Sequence, residues 1–246
     1  MGRRKGTEAV ARLALVLAGL GLTACASTSG TPAALDDPLE NVNRPVFTFN
    51  DGLDRQILEP VARGWEAITP HSVVVHIDQF FENLQTPGYF VNDLLQGDVR
   101  QSGVEMFRFL LNSTVGLAGL FDPASHYLGL ESRDEDFGQT LGVWGVPPGP
   151  YLMLPVAGSY AARDLAAAPV DLALNAWTLV PGVGLVYTIN RRSLRIEEFR
   201  EARGAALDLY VFLRDSYQQS REAAVMNSDS PEEAPSDDFY ELDEDP

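Results

Sequence analysis

The sequence has very few of the residues that form disulfides and metal sites. Of its 246 residues, one is a cysteine, Cys25, and three are histidines. A single cysteine excludes a disulfide within the chain. The histidines, His71, His76 and His126, form no H-E-x-x-H pair, and the five-residue spacing of the first two does not place them on one helical face. We therefore expect neither a metal nor a cofactor.

Sequence motifs of catalysis are also missing. The chain has no G-x-S-x-G nucleophile elbow, no G-x-G-x-x-G loop and no Walker motif. Three adjacent acids occur at Asp134, Glu135 and Asp136, but a charge run of this kind is more often a solvated turn or a helix start. A pair of carboxylates that meet only in space is left open. The sequence predicts that the protein is not an enzyme, with a lipid- or peptidoglycan-cleaving enzyme as the competing hypothesis.

Positive charge is scarce. The chain has 18 Lys and Arg against 35 Asp and Glu, a net charge of −17, and Lys5 is the only lysine. A protein that binds nucleic acid needs a basic surface that neutralises phosphates. We therefore exclude nucleic acid as a partner.

Residues 1–24 have the pattern of a bacterial lipoprotein signal peptide. A basic region precedes the apolar run 13–22, which as a helix is about 15 Å long and too short to cross a bilayer. The run leads into Leu22-Thr23-Ala24-Cys25, which is typical of a lipobox. We expect cleavage before Cys25 and acylation of that residue. An ordinary secretory signal with an incidental cysteine is the alternative.

The mature chain divides into a tether, a domain and a tail. Residues 25–36 are small and polar, which favours a flexible tether. Ala26 and Ser27 replace the aspartate that typically retains lipoproteins at the inner membrane, so we expect sorting to the outer membrane. Residues 37–224 are expected to form one domain. Residues 225–246 hold nine acids and no Lys or Arg, which predicts a disordered tail, with docking to a basic partner as the alternative.

Apolar residues recur at helical spacing through most of the domain, so the sequence predicts an all-α fold. The first helix is expected after Asp37-Pro38, with a kink or a break at Pro45. A helix over 73–84 is expected to end at Pro87-Gly88, and another short helix to end at Gly97. Few stretches alternate as strands do.

Two further stretches are long and partly apolar. Residues 165–189 approach the length of a transmembrane span, but Asp171, Pro169 and Pro181 argue against one and favour a buried or interfacial helix. Residues 195–221 predict the longest helix, roughly 40 Å, with a narrow apolar stripe beside many charges.

The segment 136–155, DFGQTLGVWGVPPGPYLMLP, combines glycine and proline with apolar side chains. Glycine and proline at this density exclude a long helix or a central strand. Apolar side chains on an irregular backbone need a dry environment. A loop that covers the core, a cavity wall and a membrane-facing surface are all compatible with this pattern.

Four motifs make the sequence similar to the MlaA (VacJ) family of outer-membrane lipoproteins. They are DPLENVNRPVFTFND at 37–51, NLQTPGYFVNDLLQGD at 83–98, FLLNSTVGLAGLFDPA at 109–124, and EDFGQTLGVWGVPPGPYLMLPVAGSYAARD at 135–164. Together with the lipobox these motifs are specific, and the resemblance extends over about 37–217. One departure is Ala166–Ala168, where the family more usually has a glycine.

The resemblance implies a single ring-like domain of short broken helices around a central amphipathic channel, with a long amphipathic C-terminal helix. It implies a position in the inner leaflet of the outer membrane. The implied role is the removal of mislocalised phospholipid from the outer leaflet and its transfer to a soluble periplasmic carrier similar to MlaC. The family also associates with a trimeric porin, and a non-catalytic scaffold lipoprotein for porins is the alternative function.

On this resemblance we assign residues of the matching motifs to the channel or lipid path. They are Asn43, Phe47, Asn50, Asn92, Gln96, Asn112, Phe137, Gln139, Leu141, Gly142, Trp144, Gly145, Gly149, Tyr151 and Pro155. We assign Arg163, Asp164 and Asp171 as structural polar residues. Several of the polar residues are equally expected as helix caps or as partners of buried backbone. We interpret 136–155 as channel wall and gate, in which Gly142, Gly145 and Gly149 supply the bends.

Overall fold

A computed structural model describes residues 37–226 of the chain. The predictions for the signal peptide, Cys25 and the tether lie outside these residues, as does the predicted acidic tail from 227 onward. Among the described helices, none has both the length and the apolar character needed to cross a membrane.

The described chain consists of helices and one short hairpin. The helices are α1 (Glu40–Leu53), continued by a π-helical turn (Asp54–Leu58), α2 (Glu59–Ile68), α3 (His71–Gln96), α4 (Val99–Thr114), α5 (Pro123–Leu128), α6 (Phe137–Val143), α7 (Ala162–Leu174), a 3₁₀ turn (Ala176–Leu179), α8 (Val183–Leu194), α9 (Ile196–Ala205) and α10 (Leu209–Val225). The strands are β1 (Tyr151–Leu154) and β2 (Gly158–Ala161). The mainly α-helical prediction is confirmed.

Helix α3 is the element against which most others pack. Its 26 residues extend about 39 Å, and it contacts α4, α6, α7 and α8. The predicted end at Pro87-Gly88 is wrong. A Cβ on Gly88 would lie 3.4 Å from the side chain of Asn175, so α7 packs closely on the helix at this point. Packing around the proline compensates for the missing backbone donor. Gly97 ends α3 with a φ of +89°, as predicted.

Two other predicted boundaries differ from the structure. Pro45 does not break α1, because it lies in the second turn and removes one hydrogen bond without stopping the helix. The single helix predicted over 195–221 is wrong in its extent, since α9 ends at Ala205 and α10 starts at Leu209. Between them Asp208 has an extended backbone and caps α10 by accepting the N–H of Val211 at 3.2 Å.

The β-hairpin was not anticipated from the sequence. Its strands pair antiparallel, with Tyr151 opposite Ala161 and Leu154 opposite Gly158. The turn uses a positive φ at Val156 (67°), a conformation that is strained for a β-branched residue. Helix α1 packs against β1, and the hairpin therefore closes the side of the domain where the chain begins.

Polar side chains occupy much of the interior. The buried hydrophobic cluster is small and consists of Tyr151, Met153 and Tyr210 with a few partly buried neighbours. Buried polar and charged residues outnumber buried hydrophobic ones, while large hydrophobic side chains are exposed on α1, α2, α3, α4, α7, α8 and α10. Soluble monomers seldom expose contiguous apolar surface on this scale. The distribution is the reverse of that expected for a domain surrounded by water.

Candidate functional site

Polar residues lie along one side of α3. Asp78, Glu82 and Tyr89 are four and seven residues apart, spacings that place them on one face of a helix. We call these three residues the α3 polar stripe. Arg191 of α8 and Asp134 of the 129–136 loop lie within electrostatic range of all three. The stripe and these two residues form the candidate site.

Arg191 is the cation of the site. Its Nε lies 3.9 Å from Oδ1 of Asp78, which is an ion pair but too long for a hydrogen bond. Its guanidinium donates to the Tyr187 hydroxyl and lies over the Tyr187 ring, 5.4 Å from the centroid. Burial alone would lower the pKa of Arg191, but Tyr187 and Asp78 together raise it. Arg191 is therefore charged at any physiological pH.

The two carboxylates of the stripe have unmet hydrogen-bonding capacity. Oδ1 of Asp78 is buried and accepts no hydrogen bond from residues 37–226. The Glu82 carboxylate forms neither a hydrogen bond nor an ion pair with any described residue. Burial raises the pKa of both acids, and for Glu82 the neighbouring Asp78 adds to the rise. A buried acceptor without a partner destabilises the fold by about 1–3 kcal/mol, so this arrangement is available to a donor from outside the chain.

Three aromatic rings form one wall beside the stripe. The centroids of Phe81 and Trp177 are 5.1 Å apart, those of Phe81 and Tyr187 also 5.1 Å, and those of Trp177 and Tyr187 5.4 Å. The indole Nε1 of Trp177 is buried and has no acceptor among the described residues. Further along the stripe, the Tyr89 hydroxyl is hydrogen-bonded to Asp134. The site thus combines unpaired acceptors, an unpaired donor and aromatic faces.

In contrast to the polar candidate site, the outer surface of α3 and α4 is apolar. A groove of about 480 Å³ lies between these helices and is almost entirely apolar. Its lining residues are Phe90, Leu94, Val99, Ser102, Gly103, Met106, Phe107 and Leu110. The loop 115–121 beyond α4 is also apolar, with Val115 66% and Leu117 61% exposed. We call the groove and this loop the apolar exterior.

The loop of the apolar exterior is held in a strained conformation. Leu117 and Ala118 have φ values of 54° and 61°, a region that costs non-glycine residues of order 1 kcal/mol or more each. Gly119 packs so closely on Asn83 of α3 that a Cβ there would come within 2.3 Å of the asparagine side chain. The close contact with α3 fixes the loop with its leucines pointing outward.

The predicted residues of α1 bind the hairpin. Asn43 donates to the Tyr151 carbonyl at 3.0 Å and accepts the Met153 N–H at 2.9 Å. Asn50 likewise donates to the Leu154 carbonyl at 2.9 Å and accepts the N–H of Val156 at 2.8 Å. Phe47 packs against the hydrophobic cluster. These amides are fully used within the fold.

A second set of predicted residues binds α6 to α3. Asn92 accepts from the Thr140 hydroxyl at 3.0 Å, and Gln96 donates to Glu135 at 2.6 Å. Gln139 donates to the backbone of the 129–136 loop at 2.8 Å, while its Oε1 is buried without a partner. Burial raises the pKa of Glu135 to about 7. This set is buried between helices.

Asn112 lies apart from both sets, at the end of α4. Its Nδ2 donates to Asp122 at 2.9 Å, and its Oδ1 accepts the N–H of Ala124 at 3.2 Å. Asp122 also binds Arg108 at 2.8 Å. The cluster fixes the start of α5, for which Asp122 is the N-cap.

The aromatic residues of the glycine-rich segment lie at the end of α3. The rings of Phe137 and Trp144 are edge to face, with centroids 6.0 Å apart. Trp144 is 53% exposed and donates from Nε1 to the Leu95 carbonyl at 3.0 Å. Leu141 is partly buried, whereas Tyr151 belongs to the hydrophobic cluster.

The glycines of this segment have different roles. Gly145 and Gly149 have φ values of +89° and +69°, so they form turns that other residues rarely adopt. Gly142 is helical. A Cβ at Gly142 would lie 2.6 Å from both Arg163 and Val225, so it is required there by close packing and does not supply a bend.

The residues predicted as structural polar groups join α6, α7 and α10. Arg163 pairs with Asp164 at 2.9 Å. Asp164 also accepts from Arg221 at 3.0 Å, and Arg221 binds Asp136 through both terminal nitrogens. Asp171 accepts the first N–H of α6 at 2.7 Å. The C-terminal helix therefore holds one edge of the glycine-rich segment in place.

The sequence reasoning missed the stripe itself. Asp78, Glu82 and Arg191 lie in helices whose other residues were interpreted as apolar. The sequence does contain a signal of the site, namely two acids four residues apart on a predicted helix. Burying two carboxylates destabilises a fold unless they meet a partner. No sequence pattern linked them to Arg191, which lies more than a hundred positions later.

Comparisons with known proteins agree on one family. The profile of the MlaA lipoprotein family matches residues 35–224. The protein named intermembrane phospholipid transport system lipoprotein MlaA is 32% identical in Escherichia coli over 94% of this chain and 97% of the relative, and 31% identical in Haemophilus influenzae over 94% and 98%. An uncharacterized protein of Rickettsia felis is 39% identical over 77% of this chain and 78% of its own length.

One solved structure is also similar to this chain. It was determined in work on the structural basis for maintenance of bacterial outer membrane lipid asymmetry. It superposes with a TM-score of 0.70 at 33% sequence identity, covering 77% of this chain and 99% of the other. The likeness therefore concerns the fold as well as the sequence.

Proposed function

Because the chain belongs to the MlaA lipoprotein family, we propose that it is an outer-membrane lipoprotein of intermembrane phospholipid transport, which maintains lipid asymmetry. Phospholipid that has reached the outer leaflet enters a channel between the described helices. A soluble periplasmic carrier, which resembles MlaC, receives it. The protein provides a path and does not cleave the lipid.

The observation that carries this proposal is the reversed distribution of polar and apolar side chains. The apolar exterior is suited to acyl chains, because each 100 Å² of apolar surface removed from water contributes about 2.5 kcal/mol. The α3 polar stripe is suited to a head group, because it has charges and unpaired hydrogen-bonding groups. A conduit for an amphiphile needs both kinds of surface in one domain.

The exposed stretch 143–150 is proposed as the gate of this path. It joins α6 to the hairpin without regular structure apart from its turns, and all its residues are exposed. Gly145 and Gly149 supply its turns, while Arg221 holds α6 on one side of it. Movement is thus confined to a short segment between two fixed elements.

The proposal is tested by deleting the gene in its own bacterium and measuring outer-leaflet phospholipid. An externally added phospholipase that cannot cross the outer membrane is applied to intact cells, and the released lipid products are counted. Deletion is expected to increase these products, and the wild-type gene to restore the original level. An unchanged level after deletion contradicts the proposal.

The cleaving-enzyme hypothesis is separated from transport by a second assay. Purified protein is incubated with radiolabelled phospholipid in vesicles. Transport alone predicts intact lipid, whereas release of labelled fatty acid or of head group indicates an enzyme.

A further inference from the structure

The candidate site contains more negative than positive charge in its immediate surroundings. Asp78, Glu82 and Asp134 lie around one arginine, Arg191. Two other arginines are within electrostatic range. Arg108 binds Asp122 and the Leu130 carbonyl through its terminal nitrogens, with its Nε 3.9 Å from Glu105, and Arg195 is exposed next to Glu198 on α9. Among the described residues, neither arginine donates a hydrogen bond to Glu82 or to Oδ1 of Asp78.

The side chains of the site that lack a hydrogen-bond partner favour a ligand that both donates and accepts hydrogen bonds. Among the described residues, Oδ1 of Asp78 and the Glu82 carboxylate accept no hydrogen bond, and the buried indole Nε1 of Trp177 has no acceptor. Arg191 is held at 3.9 Å from Asp78 and has capacity for a second anion. A purely anionic group would satisfy Arg191 and Trp177 but would face the carboxylates of Asp78 and Glu82, which repel it. A pure cation would leave the arginine and the indole unmet.

The phosphate and ammonium of an ethanolamine head group are joined by two carbons, so they reach neighbouring opposite charges. The phosphate suits the guanidinium of Arg191. The ammonium suits Asp78 and Glu82. The rings of Phe81, Trp177 and Tyr187, which pack 5.1–5.4 Å apart, add an apolar wall that attracts cations.

We infer that the α3 polar stripe with Arg191 and Trp177 is a head-group site that favours phospholipids carrying a primary amine, such as phosphatidylethanolamine, over phosphatidylglycerol. This inference rests on the proposed function and names the substrate class that the path prefers. Phosphatidylglycerol has the phosphate and two hydroxyl donors but no ammonium, so its head group is anionic as a whole and lacks the positive charge that the carboxylates of Asp78 and Glu82 favour.

The test measures which lipid contacts the site. Purified full-length protein is reconstituted in vesicles with equal amounts of phosphatidylethanolamine and phosphatidylglycerol that carry the same photoreactive acyl chain. After irradiation, mass spectrometry counts each lipid on peptides from α3 and α8. We expect wild type to favour the amine lipid by about threefold or more, which corresponds to about 0.65 kcal/mol or more.

Substitutions assign the preference to named groups. The double variant Asp78→Asn/Glu82→Gln is expected to label both lipids equally, and Arg191→Gln to lower both, since the phosphate is common to the two. Glu66→Gln, which removes an exposed acid on α2, is the control and is expected to keep the wild-type ratio. Circular dichroism and thermal unfolding establish that each variant is folded.

The outcomes separate this inference from the proposed function. Equal labelling of wild type, or an unchanged preference in the double variant, overturns the head-group site and leaves lipid transport standing. If the double variant misfolds, the ratio of the two lipids on wild type alone tests the head-group preference. Glycerophosphoethanolamine without acyl chains, added in equal amount, is expected to leave the labelling unchanged, and displacement by it would overturn the lipid assignment. If neither lipid labels α3 or α8 in wild type, the lipid path itself is wrong.

Discussion

The carboxylate of Asp93 makes a quantitative prediction about pH and stability. Asp93 is 1% exposed, and its Oδ2 has no hydrogen-bond partner. The charged groups that face it are Glu135, Glu105 and Asp98, opposed by Arg133. Burial, followed by repulsion from Glu135 and Glu105, raises the pKa of Asp93 to about 8.

The direction of the effect follows from the two protonation states. The usual pKa of 3.8 applies to the unfolded chain, so between about pH 4 and pH 8 the folded chain binds more protons. Folding is therefore favoured at low pH and weakens as the pH rises, by at most about 1.4 kcal/mol per pH unit. From pH 5 to pH 8 the loss is at most about 4 kcal/mol. For a domain of this size that lowers the melting temperature by on the order of 10 °C.

Asp93→Asn removes the charge while keeping the shape of the side chain. We expect the variant and wild type to melt within a few degrees of each other at pH 5, and the variant to melt higher at pH 8. Thermal unfolding of both proteins in the same detergent measures the difference at each pH, which cancels the slope from groups that do not interact with Asp93. Because Asp93 and Glu135 repel each other, the variant also loses their mutual contribution to the slope. Glu66→Gln on the surface is the control and should not change the slope. A variant that keeps the full pH dependence of wild type refutes the reasoning.

Two further predictions concern the glycine-rich segment. Arg221→Gln removes the cation that binds Asp136 and one of the two that bind Asp164, and it should lower the free energy of unfolding by about 3 kcal/mol. Arg200→Gln on the surface of α9 should change it by less than about 0.5 kcal/mol. Equal losses in the denaturant titrations of the two variants would contradict a role for Arg221 in joining the helices. Gly149→Cys/Ala162→Cys should form a disulfide after a small shift of the loop, since a Cβ on Gly149 would lie 3.1 Å from that of Ala162, just under the usual Cβ–Cβ distance of about 3.5–4.5 Å. The φ of +69° at Gly149 adds strain of about 1 kcal/mol. Outer-leaflet phospholipid should accumulate in cells until a reductant is added. Clearance by the oxidised protein at the wild-type rate would show that the gate does not move there.

Periodicity in the sequence predicted which segments are helical but not where each helix ends. The helix continues through Pro87-Gly88, where Asn175 at the end of α7 packs so closely that a Cβ on Gly88 would lie 3.4 Å from its side chain. Such a tertiary contact leaves no trace in a local pattern. Asp208 ends the predicted 195–221 helix because its side chain caps the next one. A single aspartate among many acids did not stand out as a cap in the sequence.

The same limit applies to the site. Asn43, Asn50 and Asn112 were assigned to the lipid path because they lie in the motifs shared with the family, and in the structure they bind backbone groups of their own fold. From sequence, an asparagine that binds a neighbouring strand is indistinguishable from one that faces a lumen. Only the three-dimensional contacts separate side chains whose hydrogen bonds are complete from those, such as Asp78, that still lack a partner.

The hydrogen bonds that the site offers to a head group are weak, which suits transient passage of a lipid better than long-lived binding. Asp78 and Arg191 already neutralise each other in part across 3.9 Å, and their side chains are 19% and 28% exposed, so some of their hydration is retained. The gain for an arriving head group is therefore the recovery of a few weak hydrogen bonds, on the order of 4 kcal/mol, which corresponds to a dissociation constant near 1 mM. A fully dry pair at hydrogen-bonding distance would exchange partners with a lipid only at a large desolvation cost. In the proposed head-group site, the long and partly hydrated Asp78–Arg191 pair beside Glu82 would bind a head group weakly enough for it to leave again.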